Sequence, residues 1–498
     1  MLALTPNELH LHSMIQSKRT KILCTLGPAT DKKAMLERLI RAGMNMARIN
    51  MSHGVHDEHA RRIRRLAEAS RAVNVPIGVL VDLQGPKLRI GELTPEGINL
   101  KKGQTVHVGG RKSSAPETWI PLDAPTLARE LDRGDTILLA DGSIALKVTD
   151  TDKTALIVRV TRGGHLTSRK GLNVPGRALS VPAFTTKDKA DLAFALKHNA
   201  DFVALSFVRT AKDVRAVKNA LKRHKTSKPV VAKIEKPQAL DDIDNIIDVA
   251  DGIMVARGDL GVELSVERVP AAQKTLIQKC AAADRWVIVA TQMLESMIES
   301  ATPTRAEASD IANAVYDGAD CLMLSGETAI GKYPDRAVDI MTAICRQSED
   351  TAWLDHPVQT LHPAHEPDLT LRKSSSAQTA ERAMVDAALV LLRESDASAL
   401  WVFTQSGRTA QLVSKSRPEK PVLAFSPHQD TLRLLSGQWG IRPLHVAMVK
   451  TTDEMVTAGE QVACERKCAR KGDRVIVLAG QAPTIGATDI IKIHHVRK

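Results

Sequence analysis

The run Val230-Val231-Ala232-Lys233-Ile234-Glu235 closes a β-branched, apolar stretch with a cation and an anion two residues apart. Residues so spaced in a strand point to one face. An ammonium fixed beside a carboxylate at a strand end suits a phosphoryl group held together with a divalent metal. A single pair of this kind reads more simply as a surface ion pair. The number of other strands that end this way decides between the two.

Several do. One run ends Arg48-Ile49-Asn50-Met51-Ser52-His53, with Arg48, Asn50 and Ser52 on one face. Another ends at Asp82 and continues Gln84-Gly85-Pro86-Lys87-Leu88-Arg89. Others end Ala256-Arg257-Gly258-Asp259, Thr291-Gln292 and Ser325-Gly326-Glu327. Repeated polar strand ends are hard to explain as structure alone, because burying unpaired charge is costly. The carboxylates Glu235 and Asp259 suit Mg2+ or Mn2+, hard cations that share coordination with phosphate oxygens. Arg48, Arg89 and Lys233 offer positive charge to an anionic group in transfer. Gly258 lets backbone approach a ligand closely, and the Thr291 hydroxyl can orient a carboxylate or relay a proton.

These residues need elements to position them. Eight apolar runs, at 20–26, 44–51, 76–83, 201–208, 229–235, 252–259, 286–293 and 321–328, alternate with amphipathic stretches such as 56–73, 212–224 and 305–317. Strands buried on both faces and alternating with helices predict a parallel sheet; eight even units favour a closed (β/α)8 barrel, with an open doubly wound sheet as the fallback. The expected division begins with a helical arm over 1–18 and a barrel over 19–86 and 186–352. An all-β cap is expected over 87–185, where short alternating segments crowd with turn residues, and could close over the barrel mouth. A proline-rich linker over 353–376 leads to a C-terminal α/β domain over 377–498, with strands expected at 399–404, 421–425, 474–479 and 489–493.

Composition narrows the function. Of the 498 residues 43% are hydrophobic and 25% charged, as in ordinary globular chains. No apolar run approaches the roughly 20 residues of a membrane span, and the N-terminus lacks the apolar core of a signal peptide. The six cysteines form no zinc-ligand pattern, so a reduced, cytoplasmic protein is expected. A net charge of +12 raises nucleic acid as a partner, but aromatics at 3% are poor material for base stacking. Anionic small substrates account for the charge as well.

Three weaker signals carry bland readings. His53, His56 and His59 read as solvated histidines at a helix N-terminus rather than a metal cluster. Arg257 is as much a salt-bridge partner as a ligand. Thr404-Gln405-Ser406-Gly407-Arg408-Thr409 follows a strand and opens a helix, an arrangement that can cradle phosphate or simply cap the helix.

At these residues the chain resembles the pyruvate kinase family along essentially its whole length. The matching segments are 20–28, 46–54, 168–171, 231–235, 253–261, 290–297 and 324–328. The resemblance implies a barrel with a capping domain in its third loop, an allosteric C-terminal domain and a homotetramer. It implies phosphoryl transfer from phosphoenolpyruvate to ADP, giving pyruvate and ATP. Carried over, Lys233 would stabilise the transferring phosphoryl and the enolate, Glu235 and Asp259 would ligate the divalent metal, and Arg48 would contact the phosphoryl. Asn50, His53, Arg89 and Lys187 would lie on the nucleotide side. Ala256, Arg257, Gly258 and Thr291 would frame the substrate carboxylate, with Thr291 and water delivering the proton. The family's K+ site matches Asn50, Ser52, Asp82 and Leu83. This chain departs there, with Lys87 where K+-requiring relatives carry Glu and Leu83 where they carry Thr, so activity without K+ is expected. Residues 404–409 match the effector-phosphate loop, which implies activation by a sugar phosphate or AMP. A phosphoenolpyruvate-handling (β/α)8 lyase or mutase and an idle effector-binding relative are the alternatives.

Overall fold

The computed structural model describes residues 18–109, 118–122, 125–140, 142–151, 155–177, 180–355, 376–480 and 488–497. The arm expected over 1–18 lies outside them except for Lys18, as does most of the linker expected over 353–376.

The eight expected barrel strands are β1 (Lys21–Thr25), β2 (Met46–Asn50), β3 (Gly78–Leu83), β4 (Phe202–Leu205), β5 (Val230–Ile234), β6 (Gly252–Ala256), β7 (Trp286–Ala290) and β8 (Cys321–Leu324). They close in sequence order into one barrel. Nearly every strand residue is buried, since helices cover the outside, and this is why the runs are apolar throughout rather than alternating. The strands stop earlier than the apolar runs. The run 201–208 ends as a strand at Leu205, which leaves Ser206 and Phe207 on the exit, and the run 252–259 turns helical at Arg257.

The strand entries follow a rule of their own. Asp201, Asp251 and Asp320 each follow an alanine and precede a strand. Their carboxylates accept from Val79 N, Val230 N and Val287 N respectively, amides in the first two positions of neighbouring strands. Asn45 does the same for Ile22 N at 3.0 Å. Each acceptor satisfies a backbone donor that the ladder leaves unpaired and pins the register of two strands.

The chain packs as two compact units. One comprises Met1–Asp82, Phe194–Val203 and Ile277–Lys498, the other Leu83–Ala193 and Ala204–Leu276. The first unit contains the C-terminal domain, a five-stranded sheet of β9 (Ala399–Phe403), β10 (Val422–Ser426), β11 (Ile441–His445), β12 (Arg474–Ala479) and β13 (Ile490–His495). Its order is β11-β10-β9-β12-β13, with β13 antiparallel. β11 was not expected, because Arg442, Pro443 and His445 interrupt any apolar run. Apolar cores line both faces of this sheet. Within the same unit the domain docks on strand entries. Lys415 and Arg417 pair with the buried Asp320, Arg433 pairs with Asp201 at 3.0 Å, and Lys21 Nζ donates to Ile441 O at 2.7 Å. Burial lowers the Lys21 ammonium to about 7.

The second unit contains the inserted all-β segment. Six of its strands form one sheet, and a separate pair joins Ile98–Leu100 to Gly164–Leu166. Its core includes Val106, Ile120, Ile137, Leu146 and Val158. Strands β5 and β6 belong to the same unit and pair in parallel, with Val231 opposite Gly252.

Candidate active site

In the second unit the exit of β5 presents Lys233 and Glu235 together. Lys233 Nζ lies 2.9 Å from Glu235 Oε1 and donates to Ser206 Oγ at 2.7 Å. Ser206 in turn donates to Leu83 O at 2.7 Å, and Phe207 N donates to Glu235 Oε2 at 2.7 Å. Burial pushes the Glu235 carboxyl above the usual glutamate range. The Lys233 ammonium opposes that shift, and the charge of Asp259 reinforces it. Two carboxylates whose charges act on one another are the kind of oxygen donors a hard cation takes.

The helix Arg257–Glu263 starts directly at the exit of β6, with Asp259 in its first turn. Arg257 Nη1 reaches Gln273 Oε1 at 3.5 Å. Beside Asp259 opens a cleft of about 670 Å³, lined also by Lys87, Asn173, Arg177, Phe207 and Lys236. Arg89 Nη1 donates to Arg169 O at 3.0 Å, and Lys187 Nζ pairs with Asp191 at 2.6 Å.

Ser206 and Phe207 were missed in the sequence, since the apolar run around them masked the strand exit. The signal was the lone hydroxyl inside that run. Phe207 has a φ of 56°, strained for an aromatic residue, and such outliers collect at functional sites.

In the first unit Arg48 on β2 is buried and makes two contacts to Asp82 Oδ2, at 2.6 and 2.8 Å. Its third nitrogen donates to Thr25 Oγ1 at 3.1 Å. Asn50 Oδ1 accepts from Ser52 N at 3.1 Å. Thr291 and Gln292 follow β7 with φ of 70° and 55°, and Thr291 Oγ1 donates to Ala290 O at 2.6 Å. Two consecutive non-glycine residues in the left-handed region, one of them β-branched, hold this exit in a defined and strained shape.

Two expectations need correction. His59 is not solvated: it is buried, its Nε2 contacts His53 O at 2.9 Å, and burial lowers its imidazole. His56 stacks on Phe194 with ring centroids 4.5 Å apart. Glu327 at the exit of β8 is fully buried and accepts from Leu294 N and Ser325 N, so its polarity is structural.

The loop 404–409 joins β9 to the helix Arg408–Lys415. Gly407 has a φ of 89° and donates its N–H to Thr404 Oγ1 at 2.9 Å, a turn that favours glycine. The adjoining pocket of about 810 Å³ is lined by Thr404, Gln405, Ser406, Arg408 and Thr409, with Met448 and other apolar residues opposite. Glu381 accepts from Thr409 Oγ1 and pairs with Arg408 at 2.7 Å.

No group of three or more metal-ligating side chains occurs among the described residues. Glu235 and Asp259 are two hard oxygen donors, which suit a divalent cation that shares its coordination with substrate and water. A (β/α)8 barrel whose strand exits carry a buried lysine and two carboxylates fits a phosphate-handling, metal-assisted class of enzyme.

The comparisons make the family definite. The family model for the pyruvate kinase barrel domain matches residues 17–338, and that for the pyruvate kinase alpha/beta domain matches 382–494. Pyruvate kinase 2 of Synechocystis is 42% identical over 96% of this chain and 80% of its own length. The pyruvate kinase of Mycobacterium tuberculosis is 40% identical over 96% of this chain and 99% of its own. The crystal structure of a Cryptosporidium parvum pyruvate kinase superposes with a TM-score of 0.89 at 32% identity, covering 99% of this chain and 100% of its own. The chain belongs to the pyruvate kinase family.

Proposed function

We propose that the protein transfers the phosphoryl group of phosphoenolpyruvate to ADP, giving pyruvate and ATP, with Mg2+ or Mn2+ held by Glu235 and Asp259. The observation that carries this reading is the buried Lys233 ammonium, fixed by Glu235 and Ser206 at a strand exit. A preorganised cation there stabilises charge on the transferring group and on the enolate left behind, without reorganisation during the reaction. Arg48 is the second cation for the phosphoryl group. The amides of Gly258 and Asp259 at a helix start, with Ala256, Arg257 and the Thr291 hydroxyl, receive the substrate carboxylate. Thr291, through water, delivers the proton to the enolate carbon. Asn50, His53, Arg89 and Lys187 bind the nucleotide. The bound metal would neutralise the phosphate oxygens.

Lys87 supplies the charge that K+ brings to relatives; its place in the cleft beside Asp259 supports this reading. Asn50, Ser52, Asp82 and Leu83 then need no K+, and Asp82 instead has the Arg48 guanidinium as its partner. The loop 404–409 binds the phosphate of an allosteric sugar phosphate or AMP. The proposed division is a helical arm (1–18), barrel (19–86 and 186–352), cap (87–185), linker (353–376) and regulatory domain (377–498). The functional form is a cytoplasmic homotetramer. No helix among the described residues is long and apolar enough to cross a membrane.

The test is pyruvate formation from phosphoenolpyruvate with Mg2+ in K+-free buffer, with and without ADP. Turnover that requires ADP and ignores added K+ is expected. Turnover without ADP would indicate a lyase instead, and a large saturable K+ activation would overturn the role of Lys87.

A further inference from the structure

Glu263 is a buried carboxylate at the last turn of the helix that begins with Arg257, and no role in binding or reaction has been given to it above. Its side chain is 1% exposed. A carboxylate so placed is costly unless cations and donors surround it. Both donors to it come from elsewhere in the second unit, and both reach the same oxygen. Asn173 Nδ2, on the cap strand Leu172–Asn173, donates to Glu263 Oε1 at 3.0 Å. Lys236 Nζ pairs with that oxygen at 2.5 Å and lies 5.9 Å from the Phe207 ring.

The positions of these three partners matter. Glu263 is four residues after Asp259, so the two share one face of the helix. Lys236 directly follows Glu235, beyond the exit of β5. Asn173 belongs to the cap, and the residue before Glu263, Val262, lies close enough to the cap that a Cβ on Gly142 would meet it at 3.8 Å. One buried oxygen therefore joins the cap, the helix bearing Asp259 and the segment bearing Glu235.

Resting on the metal assignment made above, we propose that Glu263 is a positioning residue that sets the spacing of Glu235 and Asp259 and couples it to the seating of the cap. Lys236 draws the chain after Glu235 toward the helix that carries Asp259, while Asn173 transmits the cap's position to the same point. With Lys236 in place the two carboxylates are spaced for a cation before substrate arrives. With the cap seated, Asn173 completes the coordination of Glu263 and holds that spacing through closure. Neither Lys236 nor Asn173 need touch the metal.

The experiment titrates the full chain with Mn2+ alone, following free Mn2+ by electron paramagnetic resonance, beside KM for ADP, kcat and the melting temperature. Lys236→Met should weaken Mn2+ binding about tenfold, as loss of an outer-sphere partner does, and lower the melting temperature, because Glu263 is left buried without its cation. Lys236→Arg should restore it. Asn173→Ala should raise KM for ADP and speed amide hydrogen exchange at 172–174. The Asn173→Ala/Lys236→Met pair should show coupling rather than additive losses, since both act through Glu263. Wild-type Mn2+ binding that Glu235→Gln abolishes confirms the metal assignment by itself. If that holds and Lys236→Met binds Mn2+ like wild type, the positioning role is wrong. If wild type binds no Mn2+, the metal assignment fails and the inference falls with it.

Discussion

Asp320 at the entry of β8 and Glu235 at the exit of β5 are both buried carboxylates at barrel strand ends, yet their surroundings are opposite. Asp320 accepts from Val287 N and is paired with two cations, Lys415 and Arg417, contributed by the C-terminal domain. Burial by itself would raise its carboxyl, but those two cations outweigh burial and hold it below the usual aspartate range. Burial raises the Glu235 carboxyl; its one buried ammonium opposes this without reversing it, and the charge of Asp259 adds to the rise. The entry is neutralised by permanent partners of the fold. The exit sets one ammonium, Lys233, against Glu235 while the charge of Asp259 acts on the same carboxyl. Charge at a strand end is therefore not in itself a functional sign; what separates the two ends is whether the protein's cations outweigh the effect of burial.

The largest expected effect breaks the entry. Asp320→Ala leaves Lys415 and Arg417 buried without their acid, which should cost about 3–5 kcal/mol of stability. Denaturant unfolding would measure it, and the specific activity of the folded fraction should hold. A loss of activity without loss of stability would mean that the two ends are not distinct. At the exit, Lys233→Met should lower kcat by on the order of 10²–10³-fold with a smaller loss of stability than Asp320→Ala, read by steady-state kinetics beside thermal unfolding. A variant that mainly unfolds would make Lys233 as structural as Asp320.

The smallest effect is a graded one with pH, and its sign differs at the two ends. A lowered carboxyl contributes stability above its unfolded pKa and loses it only as pH falls through the depressed folded value, so Asp320 holds well into acid. A raised carboxyl takes up its proton sooner on acidification, and the folded state gains rather than loses stability by it. Lowering the pH should therefore weaken Mn2+ binding at Glu235 first, at pH above the usual glutamate range, while the entry pairs persist. Metal titration and circular dichroism over one pH series would check the order. Coincident loss would contradict it.

Much of this was legible in the residues. The eight apolar runs read directly as barrel strands because burial on both faces leaves only one composition. Lys233, Glu235 and Asp259 read as chemistry because charges at successive strand ends demand an account. The entry acids stand in the sequence as Ala200-Asp201, Ala250-Asp251 and Ala319-Asp320 before three strands, but a lone aspartate after alanine does not show which strand's amide it will meet. β11 was not legible, since Pro443 and flanking polar residues remove the period a strand needs. Glu327 looked like part of the site and proved to be a backbone acceptor, because spacing says nothing about which amides will face a carboxylate.

By itself the sequence determined the barrel, its inserted β segment, the second α/β domain, the family and the identity of the acids and cations at the strand exits, because periodicity and residue type carry those choices locally. Only the tertiary structure decided which partners each of those charges meets. Pairing depends on segments far apart in the chain. Asp320 finds its cations 95 and 97 residues away, and Glu263 finds an asparagine 90 residues before it.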